Sequence, residues 1–450
     1  MRVHHLIVGS TLSVVGVGVM AFIAWSTRED KHYDDFGSAV ITLAALLAGG
    51  VFVLGLGPLA SWLLGVLGRR AVRLPPPVRL AVHDVAGNRV RTATMITIMM
   101  SATTLAVAVA IIAIAVTAQN RAGYFPQGRS DALVVRDFST EDVAAVRAAV
   151  QRELPGVPIA QIDRQLGEGH FRVDIENVDL PDLESVAPPG LIGDQGVLRY
   201  LTGDPAMPYD ENTAVVVTVA DVEVDRVTID YDLSGIDGPL STKTIPAIVV
   251  RPADPRLEEL FLPAKVIRDL GYQLEPEKLI VDPSLHRTTA AEQERLERRV
   301  GENAIVYVER GFQASSDWQI FVAAALLATL GAALAASGTG ATGSRQERVL
   351  LRISGGSAVP PRLFVACRAG LSAACGTAMG VAAGCVVGLL LVWPITTSIE
   401  WEPMPRVAFE TPWLSMAALV VGLPVLAAAV AALFPPGKTA RRDRPAGAPG

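Results

Sequence analysis

The sequence predicts a membrane protein with six transmembrane α-helices and an extracytoplasmic α+β domain inserted between helices 3 and 4. Three observations predict it. Half of the 450 residues are apolar, and they cluster into runs of about 18 or more instead of recurring with a surface period. Basic and acidic residues alternate from loop to loop. One interval, 119–316, is long and polar, with dense strand and turn signals.

The six runs are 5–25, 39–67, 92–118, 318–343, 366–394 and 412–434. Each is long enough to cross a hydrocarbon core as a helix. The apolar content is mainly Ala, Val, Gly and Leu, and only 6% of residues are aromatic; small residues suit close helix approach in lipid. The first run reads as a true span, because no small-residue cleavage site precedes STREDKHYDD and a second span follows at once. A secretory signal is the alternative.

Charge orients the spans. Segments 1–4, 68–91, 344–368 and 435–450 hold 16 Lys and Arg against three acids, Asp84, Glu347 and Asp443. Loops 26–38 and 395–411 hold 3 basic residues and 7 acids. The positive-inside rule then puts the first set and both termini in the cytoplasm and the insert outside a cell (plasma or inner) membrane. The expected segments are 1–78, two spans with a basic linker; 79–118, a pre-helix and the third span; and 119–316, the outer domain. They continue with 317–343, the fourth span; 344–365, a cytoplasmic helix and loop; 366–434, the last two spans; and 435–450, a basic disordered tail.

Within the insert, ALVVR at 132–136 reads as a strand, Ser139–Asp142 as a helix start, and EDVAAVRAAVQREL as a helix. A further strand is expected near 157–163. KLIVD, then Thr288 and Thr289 before AAEQERLERRV, then AIVYVE repeat this strand, capped helix, strand pattern, a weak internal repeat of βαβ type. Between the two units FRVDIENV, NTAVVVTVA, VDRVTIDYDL and KTIPAIVV read as strands. LPAKVIRDLGY reads as a short helix started by Pro263 and stopped by Gly271. With 20 basic and 34 acidic residues the insert is not a nucleic-acid surface.

Catalytic chemistry is not legible. The histidines His4, His5, His32, His83, His170 and His286 have no metal-site spacing, and Cys367, Cys375 and Cys385 lie in or beside the fifth span as packing residues. GKT at 437–439 lacks the glycine and the soluble strand that a phosphate-binding loop needs. The spans carry almost no ionisable residue at mid-depth, which argues against an ion-coupled carrier. No catalytic residue, cofactor or metal is expected in this chain.

Three local patterns carry the functional reading. In 344–354, Val349, Leu350 and Ile353 form one face and Arg345, Arg348 and Arg352 the other, a short amphipathic helix for the inner membrane surface. Its arginines suit anionic lipid or the acidic groups of a docked protein. Gly355–Gly356 and Pro360–Pro361 end it and turn the chain back into the bilayer. In the fifth span Gly376, Gly380, Gly384 and Gly388 line one stripe, a seat for another helix of this chain or of a partner.

The segment RLAVHDVAGNRVRTATMITIMMSATTLAV, 79–107, resembles the amphipathic pre-span helix of the FtsX-like permease family, which includes the MacB-type and lipoprotein-releasing membrane subunits of ABC systems. Arg79, Asn88, Arg89, Arg91 and Thr92 fall on the matching positions. SRQERVLLRISGGSAVPPRL, 344–363, is similar to the family's helix before its second span pair: Glu347, Leu351, Ile353, Gly355 and Ser357 match, while Gly356 stands where Ala is more usual. The outer-domain end, from LPAKVIRDLGY to VYVERGFQ, looks like that of the same family. The resemblance spans 79–435 as one four-span module. The first two spans resemble the extra pair that precedes the second module of long two-module permeases, so the chain reads as the back half of such a protein. It implies a separate ABC ATPase subunit docked at the 344–357 helix and a second permease module or a homodimer as partners. It also implies a lipid-linked, peptide or drug-like substrate moved, or a signal passed, by motion of the outer domain. The alternative is a non-transporting scaffold or receptor, or a degenerate half-permease, whose outer domain binds an envelope partner.

Overall fold

A computed structural model describes residues 3–28, 34–70, 76–87, 89–167, 169–175, 190–233, 240–338, 361–397 and 406–433. In chain order it contains α1 (Val3–Ser26), α2 (Asp35–Arg70), α3 (Pro76–Gly87), α4 (Arg89–Ala122), β1 (Leu133–Arg136), α5 (Val143–Glu153), β2 (Ala160–Leu166) and β3 (His170–Ile175). There follow β4 (Leu191–Gly193), α6 (Gln195–Thr202), β5 (Ala214–Val217), β6 (Arg226–Asp232), β7 (Ser241–Val250), β8 (Glu259–Pro263), α7 (Ala264–Asp269) and β9 (Gln273–Val281). The last elements are α8 (Ala290–Val300), β10 (Ile305–Val308), α9 (Trp318–Gly338), α10 (Pro361–Ile395) and α11 (Trp413–Leu433). The chain divides into two compact units, one of Met1–Gly123 with Ala314–Gly450 and the other of Tyr124–Gln313.

Among the described residues of the first unit, six helices are long and apolar enough to cross a membrane: α1, α2, α4, α9, α10 and α11. They coincide with the six runs read from the sequence. Only helices close all backbone hydrogen bonds within one segment, so apolar runs of this length adopt them in lipid. The most apolar stretches of α4 and α10 are 50% and 44% buried, against 22–28% in the other four, which makes this pair the centre of the bundle. A cluster of Ala60, Leu64, Val85, Ile96, Met99 and Ala373 joins α2, α3, α4 and α10 at one end.

At the other end α1, α4 and α10 finish and α2, α9 and α11 begin. Trp25, Trp318, Trp393 and Trp413 all lie there, in the manner of a belt at a bilayer interface. The Trp393 ring carries the guanidinium of Arg406 at 5.0 Å and that of Arg28 at 5.7 Å. Arg406 also donates to the Thr27 carbonyl at 2.6 Å, one of the carbonyls that the end of α1 leaves without a helical partner. Thr42 and Thr397 donate to the Pro394 carbonyl (3.3 and 3.0 Å), and Val407 N donates to Gln119 Oε1 (3.0 Å).

The second unit holds a ten-stranded sheet in the order β10-β1-β9-β2-β4-β8-β5-β7-β6-β3. β1 and β2 both run antiparallel to β9, which lies between them, and β9 and β10 both run antiparallel to β1. The units β1-α5-β2 and β9-α8-β10 are therefore split βαβ motifs threaded through each other, a ferredoxin-like core. The expected repeat is present, but the strands of each unit are separated by one strand of its twin. β3 to β8, inserted in sequence between the two units, extend the same sheet beyond β2.

Alternation along the central strands buries both faces. Leu133, Val135, Leu279 and Val281 face α5 and α8, while Val134, Ile162 and Ile280 face α6. A third core gathers β3–β8 against α7. α8 starts with a full capping box, Thr289 and Glu292, as the paired threonines suggested. α5 begins at Val143, later than the expected Glu141, because Ser139 and Asp142 bond to each other and hold 139–142 as a turn. α6 was missed by the sequence reading, although Asp194, whose carboxylate accepts from Gly196 N at 2.8 Å, and Gly203 in the left-handed region bracket it clearly.

Burial pushes the Glu259 carboxyl, on β8, up to about 7, and Lys278 opposes the shift only in part. The folded chain then keeps a proton that the unfolded chain has lost above about 4.5. Glu259 thus stabilises the sheet most at low pH, and its contribution falls as pH rises towards 7. Glu259→Gln is expected to flatten this dependence and to stabilise the domain at pH 8 by about 2 kcal/mol. Hydrogen exchange of the β8 amides in wild type and variant at pH 5 and pH 8 checks it.

Candidate functional site

The expected basic helix, with Arg345, Glu347, Arg348, Leu351, Arg352, Ile353, Gly355 and Gly356, lies outside the described residues, and so does Asn88. The pre-span helix is present as α3. Its Ala81, Val82 and Val85 are at most 1% exposed, and Arg79 and His83 face outward. Val85 packs with Ala60, Leu64 and Ala373, so the apolar face of α3 is covered by neighbouring helices. Arg89, Arg91 and Thr92 open α4, with Thr92 buried to 3% exposure.

The glycine stripe resolves into a seam within the chain. A Cβ placed on Gly376 would lie 2.7 Å from Met99 Cβ, on Gly380 2.6 Å from Thr103 Cβ, on Gly384 2.7 Å from Val107 Cβ, and on Gly388 3.0 Å from Ile111 Cβ. Both helices run in the same direction, and each glycine meets a residue four further along α4, in constant register. Glycine lowers helix propensity by about 1 kcal/mol per residue relative to alanine, so four of them are retained at a cost that close packing must offset. Thr104 adds a bond across the seam, from Oγ1 to the Gly380 carbonyl at 3.2 Å. Thr103 Oγ1 lies 3.5 Å from Thr329 Oγ1 of α9. The stripe therefore seats a helix of this same chain.

A second close contact escaped the sequence reading. Gly9 and Gly16 of α1 meet the Gly55 and Ala48 carbonyls of α2 at 2.8 and 2.7 Å from an added Cβ, and Ser13 Oγ donates to the Phe52 carbonyl at 3.3 Å. The small residues at 9, 13 and 16 of the first apolar run were the available signal. Among the described residues no group of three or more His, Cys, Asp or Glu side chains could hold a metal ion.

α10 is the first described helix after 344–360, α4 ends two residues before the sheet unit begins, and the seam joins the two over about three helical turns. No family model matches this chain, and no curated protein matches it.

Proposed function

We propose that this chain is the membrane subunit of an ABC-type system with an FtsX-like module, in which a separate ATPase subunit drives motion of an extracytoplasmic sheet domain. The observation that carries the reading is the seam between α4 and α10. A push on the basic segment 344–357 reaches α10 through the chain. The interlocked glycines pass it to α4, and α4 leads through the segment 123–132 to the first strand of the sheet. The acidic composition of the sheet-bearing interval and the basic character of 344–368 support an outside and a cytoplasmic placement respectively. ATP hydrolysis belongs to the partner, and this chain contributes docking and transmission. The substrate class consistent with such transmission is a lipid-linked, peptide or drug-like molecule, or a signal.

The test is copurification of an ATPase subunit with the full chain from native membranes, comparing wild type with R345E/R348E/R352E. Charge reversal is expected to lower association at least about tenfold, since like charges brought together at an interface both weaken and slow docking. Unchanged association at full expression refutes the docking role. Retention of an envelope partner without any ATPase would identify a receptor or scaffold instead.

A further inference from the structure

The sheet unit is attached by two stems, one incoming at 124–132 and one outgoing at 309–313, and a single buried carboxylate joins them. Glu309 is 2% exposed. Its Oε1 accepts from the Tyr124 hydroxyl and from Gly311 N at 2.8 Å, and its Oε2 accepts from Gln127 N at 2.9 Å. Its backbone continues the closure: Asp131 N donates to the Glu309 carbonyl at 2.6 Å, and Glu309 N donates to the Ala132 carbonyl at 2.9 Å. The Tyr124 and Phe312 rings pack at 5.9 Å across the same gap. Burial and the bond to Glu309 push the Tyr124 hydroxyl well above the usual tyrosine range, so it stays a donor.

The position of this contact matters more than its strength. Tyr124 stands two residues past the end of α4, and Phe312 six residues before the start of α9. The three donors come from both stems, so the carboxylate cannot be satisfied by either stem alone. A buried carboxylate that loses donors is costly, which makes partial opening unfavourable and favours an all-or-none closure.

We propose that Glu309 is a clasp that locks the two stems together, so that the sheet unit turns on its helices as one body and not as a loop hung from two independent strings. The sheet core does not need the clasp: β1, β9 and β10 pair along their whole length without its side chain. This inference does not depend on an ATPase partner, and its test needs none.

The experiment uses the full chain in lipid nanodiscs, with spin labels at Phe125 and Gln313, both exposed. Distance distributions between the labels are read together with amide exchange, for wild type, Y124F and E309Q. Wild type is expected to give one narrow distribution. E309Q puts an amide donor among the backbone donors. It is expected to broaden the distribution and to raise exchange at 127–131 and 310–313 about tenfold or more, while β1 and β9 stay protected. Y124F, which removes one donor, is expected to give a several-fold rise at the same amides. A wild-type distribution and exchange in Y124F overturns the clasp, even if E309Q fails to fold. Loss of β1 and β9 protection in step with the stems, in either variant, also overturns it, because the contact is then part of the core and not a separate closure.

Discussion

Gly380→Leu is expected to force α4 and α10 apart and to cost the folded chain about 3 kcal/mol or more. A Cβ at this position would already stand 2.6 Å from Thr103 Cβ and 2.8 Å from the Met100 carbonyl oxygen. Backbone cannot yield as a side-chain tip can, and Met100 lies in the middle of a helix whose neighbours are fixed by the same seam. Leucine would gain close to 1 kcal/mol of helix propensity over glycine, which is too little to offset the overlap. The control is Gly331→Leu on α9, where an added Cβ meets nothing within 4 Å; it is expected to be close to neutral. Thermal unfolding of both variants in detergent, followed by monodispersity, separates the two cases. Equal melting temperatures for Gly380→Leu and wild type would remove the seam as a structural element.

Gly376→Ala and Gly384→Ala extend the argument. Each adds only the Cβ, at 2.7 Å from Met99 or Val107. Each is expected to cost less than the leucine and to act in the same direction. The register is constant along the seam, so a mild effect at one glycine and a large one at its neighbour would mean that the helices are free to tilt against each other.

The sequence carried the bundle well because membrane insertion depends on length and polarity, which composition displays directly. All six apolar runs became helices, and the stripe at 376–388 became a helix contact, since a repeat of four places glycines on one face whatever the neighbour is. What the repeat could not name was the neighbour, because the pairing of helices depends on the shape of both surfaces. Met99, Thr103, Val107 and Ile111 carry no signature of their own. In the sheet unit, local signals found the capped helix after Thr289 and the strands with dense β-branched residues. They missed α6, β4 and β8, where short segments are held by position between neighbours more than by propensity. Glu309 was illegible for a different reason. A glutamate after an apolar strand reads as a solvated residue, and only the fold brings Tyr124 and Gln127 to it across the sequence.

Arg129→Met is expected to destabilise the sheet unit by about 3 kcal/mol, through a contact that likewise depends on distant parts of the chain. The guanidinium Nη1 donates to Asp282 at 3.1 Å and to the Tyr200 carbonyl at 2.8 Å, and it lies over the Tyr200 ring at 5.6 Å. Both charged side chains are largely buried, at 15% and 11% exposure. Arg129 therefore fastens the incoming stem to the end of β9 and to α6 in one step. Methionine fills much of the same volume, so the packing loss is small. The main cost is an Asp282 charge left buried, with Ser284 N at 2.8 Å as the remaining donor to its side chain among the described residues. Asp282→Asn in the Arg129→Met background is expected to restore about half of the loss, because the amide needs no counter-charge. Failure of the double variant to recover any stability would shift the cost from the charge to the Tyr200 contacts. The double-mutant cycle on amide exchange of β9 and α6 decides between them, and an additive cycle would show that Arg129 and Asp282 are neighbours without energetic coupling.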